Sequence, residues 1–245
     1  MDERIRGFTA FLFDLDGVLT DTASVHANCW KTMFDAYLKR RATITGEPFV
    51  EFHVEDDYHP YVDGKPRYDG VRSFLDSRGI HLPEGAPSDP ADAETVCGLG
   101  NWKNDMVNEV LERDGVEPYP GTMRLLDELT AAGVHMAVVS SSKNAPTVLA
   151  AAGITHRFEA IVDGSVAADE GLPGKPAPDT FLEAARRVGV DKSKAVVVED
   201  AISGVESGRN GDFGLVIGVA RKDNDAALDA AGADLVVQDL GELAG

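Results

Sequence analysis

The sequence has only two cysteines, Cys29 and Cys97, too few for a disulfide framework, and no Cys or His pair stands at zinc-finger spacing. Both read as small buried or half-buried residues. Long apolar runs are missing too. The first such run stops at Asp14, too short for a signal-sequence core or a membrane span, so a cytoplasmic protein is expected. Basic residues are scarce, with 23 Lys and Arg against 42 Asp and Glu, for a formal charge of −19. A field of that sign repels a phosphate backbone and an anionic membrane alike, which argues against nucleic-acid and membrane partners. It equally opposes a phosphorylated metabolite, unless a metal or a few placed cations make the pocket locally positive. Internal repeats and low-complexity tails are absent from the sequence.

The composition is that of an ordinary globular chain, 43% hydrophobic and 27% charged, and 245 residues can bury a core as one or two domains. Short apolar runs rich in β-branched or aromatic residues occur at Phe8–Phe13, Val134–Val139, Ala195–Val198, Leu215–Val219 and Leu235–Val237, as expected of buried strands. Between them Thr122–Ala132, Ala145–Ala152, Asp179–Val188 and Ile202–Asn210 have helical periodicity. Gly133, Gly153 and Gly189 stand where left-handed caps would end three of these helices. Alternating strands and helices predict an α/β fold with a parallel sheet covered on both faces.

Residues 23–114 break that rhythm. Ala23–Leu38 carries Ala27, Trp30, Phe34 and Tyr37 or Leu38 on one helical side. After it come a polar, aromatic stretch (Glu47–Asp69), a helix (Val71–Ser77), a Pro/Gly/Asp-rich loop (Leu82–Ala93) and a helix (Lys103–Asp114), before Pro118-Tyr119-Pro120-Gly121 restores the alternation. The expected organisation is a core of residues 1–22 and 115–245 with a mostly helical domain, 23–114, inserted after the first strand. The acidic, His-bearing run Glu51–His59 is read as a solvated loop of that insertion.

Four loops carry the polar groups of interest. The first strand runs into Asp14-Leu15-Asp16-Gly17, where a parallel sheet presents ligand-binding groups and Gly17 permits a sharp turn. Ser140-Ser141-Ser142-Lys143-Asn144 follows the second run, Lys175 lies in Gly174-Lys175-Pro176-Ala177-Pro178-Asp179, and Glu199-Asp200 follows Val198. Pro at the first helical position is expected to fix where Lys175 points. Two like charges about 4 Å apart repel by roughly 4 kcal/mol at an effective dielectric near 20, so clustered Asp14, Asp16 and Asp200 need a cation. Mg²⁺, which takes carboxylate oxygens together with substrate phosphate, suits them. Taken alone, paired aspartates also make strand-ending turns and calcium loops, and the serines could simply cap the next helix.

In order and approximate spacing these four segments resemble the motifs of the haloacid dehalogenase superfamily. Phe13–Val18, Thr20-Asp21-Thr22, His26, Trp30 and the Ser140–Asn144 and Lys175–Asp179 segments are similar to its β-phosphoglucomutase-like branch. The resemblance implies a Rossmann-like core with a helical cap. Asp14 would be the nucleophile, Asp16 the acid/base, and Ser140 and Lys175 the phosphoryl grip. Mg²⁺ would be held by Asp14, the Asp16 carbonyl and Asp200, with Glu199 beside or in the shell. Arg67, with Ser141, Ser142, Lys143 and Asn144, would hold a distal phosphate. Trp30, Lys103 and Asn104 would lie near the substrate, and His26 would couple the cap to Asp16. The segments 46–64 and 82–100 look longer than in compact relatives, and Gly70 replaces a serine. The expected reaction is isomerisation of β-glucose 1-phosphate to glucose 6-phosphate. A sugar-phosphate phosphatase is the alternative, and a non-catalytic metabolite-binding module the remote one.

Overall fold

Residues 2–221 and 224–245 are described by a computed structural model. Six parallel strands form one sheet in the order β3-β2-β1-β4-β5-β6: β1 Ala10–Phe13, β2 His135–Val139, β3 Ala160–Val162, β4 Ala195–Glu199, β5 Leu215–Val219 and β6 Leu235–Val237. β1, β2 and β4 are almost wholly apolar and buried, as strands covered on both faces must be. Helices Pro120–Ala131, Ala145–Ala151, Gly164–Glu170, Asp179–Arg187, Ile202–Asn210 and Asp225–Ala231 alternate with them, so the expected α/β, Rossmann-like class holds. Gly133, Gly153 and Gly189 have φ of +68°, +71° and +70°, the left-handed geometry expected past three helix ends. A core of Leu12, Ala137, Val139, Val197, Phe181 and neighbours lies between sheet and helices.

β1 lies between β2 and β4, with Phe13 in register with Val138 and Val198. The strand order therefore reverses about β1, the position at which open α/β sheets bind ligands beyond their carboxyl ends. Asp14, Ser140 and Glu199 emerge side by side there, because each sits at the end of one of these three neighbouring strands.

By its internal contacts the chain divides into two units, residues 1–22, 64–66 and 116–245, and residues 23–63 and 67–115. Placing Gly64-Lys65-Pro66 with the sheet departs from the continuous insertion expected from sequence. The Ser141 hydroxyl donates to the Gly64 carbonyl at 2.7 Å. Gly64 (φ +71°) lies so close to Ala201 and Ser203, and Gly174 so close to Pro66, that neither glycine has room for a β-carbon.

The second unit contains helices Ala23–Thr45, Arg67–Ser77 and Val96–Asp114 around an aromatic core. Trp30 and Phe34 stack with centroids 5.3 Å apart, and Phe34 meets Phe74 at 4.2 Å. Helix Ala23–Thr45 outruns the expected Leu38 because its last residues, apart from Ala42 and the exposed Ile44, are polar and leave no apolar period to read. Helix Val96–Asp114 starts well before Lys103; Thr95 caps it by accepting from the Gly98 N–H at 2.9 Å. Gly98 and Gly100 lower helix propensity, but they admit Ala93 and the Tyr68 ring at close range. The run Glu51–His59 is not simply solvated. Phe52, Asp57 and Tyr58 are buried, and Asp57 accepts from Arg78 Nη2 at 2.7 Å and from the His53 N–H at 2.8 Å. The long segment before Val96 is tied down as well: Arg72 pairs with Glu84 at 2.8 Å, and Asn101 donates to the carbonyls of Pro87 and Asp89 at 3.1 and 2.8 Å.

Candidate active site

Asp14 leaves β1 with its N–H bonded to the Val198 carbonyl at 2.9 Å, which keeps it level with the last residue of β4. Lys175 Nζ reaches it from the loop before helix Asp179–Arg187, 2.5 Å from Asp14 Oδ1 and 2.5 Å from Glu199 Oε1. The ammonium also donates to the Val139 carbonyl at 3.2 Å. The Lys175–Pro176 peptide is cis, and Pro178 occupies the N-cap rather than the expected first helical position. Asp14, Lys175 and Glu199 are all buried. Burial works against the Lys175 ammonium, but the charges of Asp14 and Glu199 outweigh it and raise its pKa. Burial raises the Glu199 carboxyl, with Lys175 opposing.

Oxygens of Asp14, Glu199 and Asp200 lie within 4.8 Å of one another. Three carboxylates, two of them paired with one ammonium, leave an acidic excess in a mostly buried space, and the donors are all hard oxygens. That arrangement fits a divalent cation such as Mg²⁺. Among the described residues this is the one acidic or His/Cys cluster close enough to hold a metal. Glu199 is steadied by the N–H groups of Asp200 and Ala201 at 3.2 and 3.3 Å. Gly204 opposite leaves no room for a β-carbon against its carboxylate.

Asp16 sits on a tight turn in which the Gly17 N–H donates to the Thr20 carbonyl at 2.9 Å, and Gly17 has φ +86°. Its carboxylate accepts a short hydrogen bond from Thr22 Oγ1, which itself lies 2.9 Å from Thr20 Oγ1. Thr20 and Thr22 were legible only as part of the resemblance; nothing in their spacing announces that they orient Asp16. Ser140 Oγ accepts from the Ser142 N–H at 3.1 Å, and Ser142 Oγ from the Asn144 N–H at 3.1 Å, so the serine loop is braced ahead of helix Ala145–Ala151. Ser140 is buried, Ser141, Ser142 and Asn144 are half-buried, and Lys143 is exposed.

The remaining expected residues lie in the helical unit. Lys103, buried on helix Val96–Asp114, has its Nζ 2.8 Å from His26 Nδ1 and 5.0 Å from the centroid of Trp30. Lys103 being the donor, the imidazole accepts through Nδ1. His26 keeps some accessible edge, but the protein crowding its ring and the Lys103 charge hold it well below its usual pKa. Arg67 opens its helix rather than lying in a loop. It donates to Asn101 Oδ1 at 3.4 Å and lies over the Tyr68 ring at 5.4 Å. Burial lowers its pKa. Asn104 is half-buried on the same helix as Lys103. Trp30 is buried in the aromatic core.

Comparison with known proteins agrees with this geometry. Residues 8–212 match the family described as haloacid dehalogenase-like hydrolase. A protein of Mycobacterium tuberculosis named Beta-phosphoglucomutase is 54% identical over 246 residues, covering 99% of this chain and 93% of its own length. Among solved structures, a hydrolase from Pseudomonas syringae superposes with a TM-score of 0.77 at 23% identity, covering 96% of this chain and 95% of its own. A beta-phosphoglucomutase from Clostridium difficile superposes with a TM-score of 0.72 at 24% identity, covering 96% and 93%. At such identities the likeness is one of fold.

Proposed function

The chain belongs to the haloacid dehalogenase-like hydrolase family, and from that premise we propose that it is a Mg²⁺-dependent phosphomutase converting β-glucose 1-phosphate to glucose 6-phosphate. The observation that carries this reading is Lys175 Nζ held 2.5 Å from both Asp14 and Glu199, within a carboxylate cluster that suits a cation. The relative that is 54% identical over nearly the whole chain supports the choice of substrate.

Asp14 attacks phosphorus in line, forming an aspartyl phosphate while the bond from phosphorus to the ester oxygen breaks. Asp16, oriented by Thr22, gives that departing oxygen a proton and later takes one from the incoming hydroxyl. Lys175 and Ser140 grip the phosphoryl oxygens, and because Lys175 is already anchored by Val139 it needs little reorganisation to do so. Asp14, Asp200 and the Asp16 carbonyl, with Glu199 adjacent, would hold Mg²⁺, which would supply the positive charge a phosphate dianion needs beside a carboxylate. In the helical unit Arg67 is assigned the distal phosphate of a bisphosphate, and Trp30, Lys103 and Asn104 the sugar.

The test is direct. Protein with Mg²⁺, β-glucose 1-phosphate and a trace of the 1,6-bisphosphate should produce glucose 6-phosphate. Inorganic phosphate released at a comparable rate, with no 6-phosphate, assigns a phosphatase instead.

A further inference from the structure

The turn that bears Asp16 is anchored by a side chain distant in sequence. Within Asp16–Thr20 the Gly17 carbonyl accepts a hydrogen bond from Arg221 Nε at 3.0 Å. Arg221 lies just past β5, and its guanidinium is held on other sides too. Nη1 donates to Asp239 Oδ2 at 2.8 Å and to the Gln238 carbonyl at 3.3 Å, and the plane stacks 3.7 Å from the centroid of Tyr119. Tyr119 returns to the same loop: its hydroxyl donates to Asp21 Oδ1 at 2.8 Å and its N–H to the Leu19 carbonyl at 3.1 Å.

This arrangement differs in kind from the bond between Thr22 and Asp16. Thr22 belongs to the loop it steadies, so it can orient the carboxylate but cannot place the loop relative to Asp14. Placement comes from several anchors outside residues 16–22, among them Thr122 Oγ1 on the Val18 carbonyl at 2.8 Å. Arg221 supplies it at the residue next to Asp16, because its planar fork can bond Gly17, bond Asp239 and stack on Tyr119 at once, which a lysine cannot. We propose that Arg221 is a positioning residue for the reaction, acting through the Gly17 carbonyl to hold Asp16 within proton-transfer reach of the ester oxygen. This rests on the assignment of Asp16 as acid/base in the preceding subsection.

The consequence is selective. When Asp14 attacks an alkyl phosphate ester, the alkoxide that departs must receive a proton from Asp16. A dinitrophenolate leaves without one. Loss of Arg221 therefore slows transfer from an alkyl ester and spares transfer from an activated aryl ester. General acids work within roughly 2.6–3.2 Å, and a displacement of about 1 Å costs on the order of 100-fold.

The experiment compares single-turnover phosphorylation of Asp14 by glucose 1,6-bisphosphate and by 2,4-dinitrophenyl phosphate in the full chain with Mg²⁺. Arg221→Met should slow the first by roughly 10- to 100-fold and the second by less than about 3-fold. Amide hydrogen exchange at Gly17 should quicken. Arg221→Lys, which keeps a charge opposite Asp239 without the planar fork, should show the same selectivity; it is the variant to read if Arg221→Met does not fold. Equal slowing with both esters, or none with either, overturns the proposal. Asp16→Asn is the reference: it must discriminate between the esters. If it does not, the acid role of Asp16 falls and this inference with it; if it does and the Arg221 variants do not, only the inference falls.

Discussion

Replacing Lys175 by Met tests whether a buried lysine is what lets the acidic cluster exist. In the folded protein its ammonium lies 2.5 Å from one carboxylate oxygen of Asp14 and 2.5 Å from one of Glu199. At an effective dielectric near 20 each pair attracts by roughly 7 kcal/mol, and carboxylate oxygens within 4.8 Å of one another repel by roughly 3 kcal/mol or more. Those are gross terms, set against the desolvation of the same groups. Methionine keeps much of the volume but removes the charge that opposes the burial-driven rise of the Glu199 carboxyl, so the repulsion has to be relieved by proton uptake, and removing one partner of a buried pair costs about 3–5 kcal/mol. For a domain of this size each kcal/mol shifts the melting temperature by roughly 2–4 °C, so Lys175→Met should melt about 6–20 °C below the parent when followed by circular dichroism in EDTA. Glu199→Gln placed on top should recover part of the loss, because one of the repelling charges is then gone. A melting temperature unchanged in the single variant, or strictly additive losses in the double variant, would show that the charges are not coupled and refute the reasoning.

Asp200→Asn should weaken metal binding. Mg²⁺ at 100 times its Kd stabilises a protein by about 2.7 kcal/mol, a gain expected in the parent and largely lost in the variant; equal gains would remove Asp200 from the metal set. His26 makes stability depend on pH. Burial and then Lys103 hold its pKa well below 6.5, so the folded imidazole stays neutral while the unfolded one takes up a proton. The contribution is fully present above about pH 6.5 and is lost as pH falls below it. His26→Gln should flatten the stability profile between about pH 7.5 and pH 5, and an unchanged slope would contradict it. Arg67→Ala should impair the mutase reaction about 10-fold or more while sparing hydrolysis of a small aryl phosphate; equal loss on both would dismiss a distal-phosphate role.

The α/β class was legible because β1, β2, β4 and β5 are buried on both faces and read as unbroken apolar runs. The three-residue β3 was not, since Ala160–Val162 owes its conformation to pairing with β2 rather than to its own pattern. Helices Gly164–Glu170 and Asp225–Ala231 escaped notice because each has only seven residues and little or no buried apolar stripe. The former is started by Asp163, whose carboxylate accepts from Ser165 and Val166. At the site, the closeness of Asp14, Glu199 and Asp200 follows from a parallel sheet delivering the ends of adjacent strands to one edge, Lys175 joins them from the loop before a helix, and the roles of all four came only with the family resemblance. The parts that orient them were hidden. Thr22 and Arg221 act through contacts, the latter across 204 residues, and no local pattern marks such a pairing.

The tripeptide Gly64-Lys65-Pro66 limits how this protein can be taken apart. A shortened chain that joined Thr22 directly to Val116 would discard the helical unit together with the three residues that fill the space beside Ser141, Ala201 and Gly174. The loops bearing Ser140, Lys175 and Asp200 would then border an empty notch. Any attempt to isolate or transplant the sheet-bearing half should carry that fragment along, grafted as a short strap.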